Sequence, residues 1–319
     1  MRLHEHEDFA AFVTAAAADA DLSEPFVEKD YWITEILRTI ADTLGKRTIF
    51  KGGTSLSKGW DLLDRFSEDI DLFVNPAVEP PLATTRAVDR TLKRLNRDVA
   101  AIPGLAFVRD DSRTIGGIGR MDVFRYHSHY PALQGFPPTV RLEPGIQSGD
   151  QPTATVPISS IVGRMLIERG VADELRVDGL QPFPMALLHY RRTFVEKLFA
   201  IHGKVERLKL EGHPLGRDVR HYADLYVLAG KQDVRDMLAS PEYASIKADY
   251  DAKSRTYFPN SYRPPDGLRF DKSDALFPDD ELRAVIEPVY EDECRRLFFR
   301  PHPPFGEVLE RFDSVRPLI

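Results

Sequence analysis

At 319 residues the chain can form one large or two ordinary domains, and 42% hydrophobic with 29% charged residues is the composition of a protein that buries a core in water. No apolar run is long enough to span a bilayer, the acidic, histidine-bearing start "MRLHEHEDFAAFV" is unlike a secretory leader, and the single cysteine, Cys294, excludes an intrachain disulfide and a cysteine-built zinc site, so a cytoplasmic protein without redox chemistry is expected. A net charge of −7 argues against bulk electrostatic capture of nucleic acid and leaves only a local basic cleft for that purpose.

His4 and His6 fall in a terminus expected to be mobile and are assigned no role. From Ser23, an N-cap residue, Pro25 in the first turn and apolar residues at Ile33, Leu37, Ile40 and Leu44 before Gly45 predict a helix. "TIF" at 48–50 reads as a short strand ending at Gly52-Gly53, "TSLSKGWDLLDRF" as a helix, and "IDLFV" at 70–74 as a second strand. A helix over about 82–100 carries Leu82, Val88, Leu92, Leu95 and Val99 on one side, and "LAFVRDD", "RMDVFRYHS" and "TVRLE" follow as three strands. Residues 1–155 thus form an α+β unit. In residues 156–319 helices dominate, in "SSIVGRMLIERG", "TFVEKLFAIHGKVERLKL", "GRDVRHYADLYVLAG" and "DDELRAVIEPVYEDECRRLFF", with 249–280 expected as a long ordered loop.

The densest chemistry lies in "KGGTSLSKGWDLLDRFSEDIDLF", residues 51–73. Alternation along a strand places Ser67, Asp69 and Asp71 on one face, successive members about 7 Å apart in Cα position. Two like charges that close call for a cation, and Mg²⁺ (or Mn²⁺), which takes hard oxygen ligands and completes its shell with phosphate and water, is the natural one. Upstream, Gly52 and Gly53 let the backbone approach a ligand, and Thr54 and Ser55 stand at the start of the following helix, where free N–H groups suit phosphate. Lys58 adds a cation one turn on, and Arg65 can add another. "GGTS" alone is a common turn and "DID" alone an ordinary strand edge. Their combination at strand–turn–helix–strand spacing points to a metal–triphosphate site. It is not a Walker A loop, because Lys58 precedes Gly59.

"FKGGTSLSKGWDLLDRFSEDIDLF" resembles the signature of the AbiEii/AbiGii toxin family of nucleotidyltransferases, in the DNA polymerase β-like superfamily. "EKDYWITEIL", "TFVEKLFAIH" and "RHYADLY" are similar to further motifs of that family, so the resemblance runs over about 24–228 and weakens in the C-terminal third. The interval from Gly53 to Asp69 is longer than is usual there, which predicts one extra turn of the intervening helix. The resemblance implies an α+β nucleotidyltransferase domain over 1–155, a mainly helical domain over 156–319 that completes the cleft, and an NTP as co-substrate. It also implies a third carboxylate on a neighbouring strand. Glu143 in "TVRLEPG", on one face with Arg141, matches best, with Asp122 in "RMDVFRY" as runner-up.

The resemblance further makes Lys197 a nucleotide-binding lysine; Thr193 and Glu196 have capping-box spacing, which accounts for Glu196 structurally. Arg217, Arg220, His221 and Asp224 share a helical face, Asp224 being the acid placed to pair with Arg220 or brace Lys197, and His221 is expected to pack or cap. The family implies a toxin of a type IV toxin–antitoxin pair that adds nucleotides to RNA, with tRNA 3′ ends as acceptor and an antitoxin protein as partner. From the residues themselves, Arg86, Arg90, Lys93 and Arg97 form a basic stripe opposite the apolar side of their helix, suited to an RNA backbone or to a solvated face. A transferase or kinase acting on a small molecule or protein would use the same triphosphate site. A non-catalytic NTP-binding module has less reason to keep both aspartates.

Overall fold

The runs of β-branched and aromatic residues pair into one seven-stranded sheet, in the order β3-β4-β5-β2-β1-β7-β6. The strands are β1 (Thr48–Lys51), β2 (Asp69–Val74), β3 (Leu105–Ile115), β4 (Gly119–Tyr126), β5 (Thr139–Gly145), β6 (Thr153–Ile158) and β7 (Phe183–Leu188). β2 lies mid-sheet, antiparallel to β1 and parallel to β5; β3, β4 and β5 form an antiparallel series, and β1 runs parallel to β7. The computed structural model describes residues 1–65, 67, 69–132 and 136–319. They form two compact units: Met1–Gly59, Glu68–Ile146 and Thr153–Leu187 in the first, and Trp60–Ser67, Gln147–Pro152 and Leu188–Ile319 in the second. The chain is therefore not cut once at 155/156; β6, β7 and a helix between them rejoin the first unit.

In the first unit the helices are α1 (Phe9–Ala20), α2 (Glu24–Leu44), α3 (Gly52–Thr54, continued as a wider turn through Gly59), α4 (Thr85–Ala100) and α5 (Ile161–Glu168). α2 follows its Ser23 cap position, carries Pro25 in its first turn, buries Ile33, Ile36, Leu37 and Ile40, and ends at Gly45. α4 is capped by Thr84, whose side chain accepts from the Ala87 N–H, and its Val88 and Leu92 pack on Val74 of β2. Along β2, Ile70 and Leu72 are buried and Asp69 and Asp71 are not. A one-residue slip would exchange those faces, so burial worth about 1.5–3 kcal/mol per aliphatic side chain fixes where the aspartates point.

The N-terminus is packed rather than mobile. The His4 ring is 2.9 Å from the Tyr31 hydroxyl and 4.5 Å, centre to centre, from the Trp32 ring, and the Met1 amino group pairs with Asp178 at 3.0 Å.

The second unit is built from α6 (Tyr190–Glu211), α7 (Arg220–Ala229), α8 (Gln232–Leu238), α9 (Pro241–Tyr257), α10 (Asp280–Leu297) and α11 (Phe305–Val315). Tyr222 of α7, fully buried, is its centre, with the Phe305 ring edge-on at 5.2 Å. α9 takes the first part of the segment expected as a loop, and the irregular stretch begins only at Phe258. The helix expected through residue 66 is also shorter. It stops at Gly59, where a Cβ would come within 2.2 Å of the Leu187 side chain. Trp60 then belongs to the second unit, its ring 4.9 Å from those of His189 and Tyr190 and its indole N–H donating to the Leu188 carbonyl at 3.2 Å. The long interval from Gly53 to Asp69 is thus an excursion into the second unit and not an extra helical turn. Among the described residues no helix is long and apolar enough to cross a membrane.

Candidate active site

β1 ends at Lys51, and the chain turns back at once through Gly52, whose φ of +78° few side chains tolerate. A Cβ on Gly52 would stand 2.0 Å from Oδ2 of Asp71, so glycine is required for the turn to pass this carboxylate at all. The hydroxyls that follow face inward. Thr54, buried, donates from Oγ1 to the Asp69 carbonyl, and Ser55, also buried, donates to the Gly52 carbonyl at 2.9 Å. Both fasten the turn to β2 and to itself instead of presenting hydroxyls to a phosphate; the backbone at Gly52 and Gly53 is what the turn offers.

Lys58 departs from the expected role. Its ammonium lies 2.6 Å from Asp30 Oδ1 and donates to the Ser159 carbonyl at 3.0 Å, while Asp30 Oδ2 accepts from the Ile161 N–H at the start of α5 at 2.8 Å. Burial lowers the Lys58 pKa and Asp30 opposes the shift. This lysine joins α2, the α3 turn and α5, and is not directed at a phosphate. Ser67 precedes β2, which starts at Asp69, so the pleat does not align it with the aspartates.

The register of β2 with its neighbours assembles the carboxylates. Asp71 lies opposite Lys51 of β1 on one side and Glu143 of β5 on the other; Asp69 lies opposite Arg141. Residues opposite one another share a face, so Asp69, Asp71 and Glu143 stand together with Arg141, whose guanidinium is 3.2 Å from Asp69 Oδ1. Burial, and then the charges of Asp71 and Asp69, push the Glu143 pKa up to about 7, against the opposing influence of Arg141 and Arg113. Asp122, the runner-up, is excluded: it registers with Leu142, on the other face of β5, and is fully buried in a two-pronged pair with Arg120 at 2.8–3.1 Å. Lys51 was missed in the sequence, although strand alternation ending at "FKGG" would have placed it on the carboxylate face.

The second unit holds its own charged centre. Asp224, fully buried, receives two bonds from Arg65 at 2.6 and 2.7 Å, and Lys197 Nζ is 2.7 Å from its Oδ2. Burial alone would raise the Asp224 pKa, but Arg65 and Lys197 outweigh it and hold the carboxyl well below the usual range. Burial lowers Lys197, partly offset by Asp224. His221 Nδ1 lies 3.1 Å from Lys197 Nζ, and burial, then the lysine's charge, bring the imidazole down to about 4, so it is neutral and accepts from the ammonium. Asp224 thus pairs with both Lys197 and Arg65, and Arg65 is thereby committed to this centre and not to a triphosphate. The capping-box reading of Thr193 and Glu196 is overturned: His189 caps α6, Thr193 is inside the helix, and Glu196 pairs with Arg192 at 3.0 Å.

A mixed sheet with a glycine turn passing two strand aspartates, and a glutamate beside them on the next strand, defines a nucleotidyltransferase. The family model described as "Nucleotidyl transferase AbiEii toxin, Type IV TA system" matches residues 35–313, and the chain belongs to that family. Membership implies an NTP as substrate and an antitoxin as partner. Among solved structures the chain is similar to MenT4, a nucleotidyltransferase toxin of Mycobacterium tuberculosis H37Rv, with a TM-score of 0.57 and 16% identity over 95% of this chain and 88% of that one, a likeness of fold. No curated protein matches the sequence.

Proposed function

We propose that the protein transfers a nucleoside monophosphate from an NTP to the 3′ hydroxyl of an RNA, a tRNA end, with Asp69, Asp71 and Glu143 holding Mg²⁺ or Mn²⁺. The observation that carries this reading is the strand register that sets Asp71 opposite Glu143 and puts Asp69 on the same face of the sheet. Such a cluster offers hard oxygen ligands to a divalent cation, with Arg141, 3.2 Å from Asp69, already offsetting part of its charge. Among the described residues no group of three or more His, Cys, Asp or Glu side chains closes on a metal position, the proposed trio included; Mg²⁺ would take carboxylate oxygens from it together with phosphate oxygens and water. When bound, the ion would supply charge neutralisation on the triphosphate and a lower pKa for the attacking hydroxyl.

The chain's own residues do the rest. Gly52 and Gly53 bring backbone N–H groups to the phosphates, and Lys51 and Arg141 offset charge on the carboxylate face. In the second unit, Asp224 fixes the ammonium of Lys197 through the 2.7 Å pair. The acceptor oxygen attacks the α-phosphorus, the bond to the bridging oxygen breaks, pyrophosphate leaves, and the hydroxyl proton passes to Glu143 or to water. The experiment is incubation with each α-labelled NTP, Mg²⁺ and total RNA, resolved on a gel. Label in tRNA-sized bands is expected. Label only in protein or a small molecule, or transfer from γ-labelled NTP, overturns the RNA reading in favour of a different transferase or a kinase.

A further inference from the structure

In the first unit, α4 and the β3–β4 hairpin enclose a groove of about 1090 Å³. We propose that this groove is the docking track for the phosphate backbone of a base-paired RNA stem, a surface additional to the carboxylate face. The proposal rests on the reading that the acceptor is RNA.

From α4 come Arg90, Lys93, Arg94 and Arg97, at spacings that put them along one side of the helix within about 10 Å. From the hairpin come Arg109, Arg113 and Arg120, and among the described residues no Asp or Glu lines the groove. In a chain of net charge −7 this is a strong local reversal of sign. Three of the cations have local partners: Lys93 with Asp89 at 2.7 Å, Arg94 with Asp98 at 3.6 Å, and Arg120 with Asp122. Among the described residues, the guanidinium groups of Arg90, Arg97, Arg109 and Arg113 make no hydrogen bond or ion pair. Cationic groups kept only for stability are ordinarily matched by carboxylates, as those three are. A set left unmatched around one groove is what a polyanion requires.

The remaining lining chemistry selects the form of the polyanion. Of the hydroxyl-bearing lining residues, Thr91 and Ser112 donate their hydroxyls to the Ala87 and Val108 carbonyls, which leaves Thr114 to bond phosphate or sugar without reading sequence. Among the described residues the one aromatic ring in the wall, Phe107, is packed 5.7 Å from Phe124, so they supply no stacking platform of the kind on which single strands bind. The stripe seen in the sequence is thereby revised: Arg86 is exposed but does not line the groove, and Arg94, Arg109, Arg113 and Arg120 join it. The irregularity in β3 between Val108 and Arg113 breaks the simple alternation of this edge strand and re-aims its arginines. Arg113 also acts on the charge of Glu143, which ties the groove wall to the carboxylate face.

The test uses the full-length chain carrying Arg90→Gln, Arg97→Gln and Arg109→Gln together; all three side chains are exposed, and Arg113 is spared because it acts on Glu143. Binding of unfractionated tRNA is followed by fluorescence anisotropy across a salt series, beside a single-stranded oligonucleotide of equal length and a non-hydrolysable NTP analogue. The slope of log affinity against log salt for tRNA should become shallower by about 2 to 3 units, with half-maximal transfer needing about tenfold more tRNA and NTP-analogue affinity unchanged. An unchanged slope, with label still entering tRNA, overturns the groove and leaves the transferase reading intact. Equal loss for the single-stranded oligonucleotide overturns the stem assignment. A wild type that neither binds nor labels RNA sinks the RNA reading and the groove with it. Loss in the variant of a complex with a co-expressed acidic protein would then assign the surface to that protein.

Discussion

Replacing Glu143 by glutamine removes an ionisation that folding opposes. In the unfolded chain this carboxyl titrates near 4.5 and in the folded protein near 7, so folding retains a proton through that window. Its favourable contribution is complete below pH 4.5 and is lost as pH rises through 7. The span corresponds to about 3 kcal/mol, trimmed to about 2 by solvent around a carboxyl that is not fully enclosed. Glu143→Gln is nearly isosteric and cannot ionise. It should therefore match the wild type at about pH 5 and be more stable by about 2 kcal/mol at about pH 8. Urea unfolding in EDTA provides the assay, in a Trp60→Phe background so that Trp32 reports the first unit alone. Millimolar Mg²⁺ should then stabilise the wild type at the higher pH and the variant much less. A stability difference that is the same at both pH values would refute the claim that the two aspartates and burial act on Glu143.

Three further changes probe other parts of the account. Asp224→Ala leaves Arg65 and Lys197 buried without their shared anion and should cost about 3–5 kcal/mol in urea unfolding; a cost below about 1 kcal/mol would contradict the buried centre. Gly52→Ala forces a side chain into φ +78° and against Asp71. It should lose NTP turnover while costing about 1–2 kcal/mol of backbone strain, and near-wild-type turnover would show that the turn has room. Lys58→Met should destabilise the fold by several kcal/mol, because Asp30 loses its counter-charge, and leave the KM for NTP within about threefold in whatever protein remains folded. A large rise in KM with stability intact would return Lys58 to the phosphates.

The parts of the fold with strong periodicity were legible. α2, α4, the β1 turn, β2 and the β3–β5 series each carry apolar residues at one clear spacing, and the pleat alone placed Asp69 with Asp71. What escaped was set by partners far along the chain. Arg65 looked like a spare cation because its partner Asp224 is 159 residues away, and Lys58 because Asp30 is 28 residues upstream. The segment after Gly59 keeps a helical pattern of Leu62, Leu63 and Phe66, but Trp60 and Arg65 are claimed by the second unit, and tertiary contact overrode local preference. Phe66 itself lies outside the described residues. β6 and β7 were overlooked because both are short and contain proline, Pro157 and Pro184, which weakens a strand signal. Glu143 could be ranked first but not distinguished from Asp122 by sequence alone, since only the β4–β5 register shows that the two stand on opposite faces.

The central claim, that the carboxylate face performs nucleotidyl transfer, is tested most directly by pyrophosphate release from NTP in the presence of tRNA, comparing the wild type with Asp71→Asn at matched urea midpoints. Asp71→Asn keeps the side chain's shape beside Gly52 and removes the negative charge, so release should fall on the order of a thousandfold while the fold is retained. Equal release by the two proteins would contradict the claim.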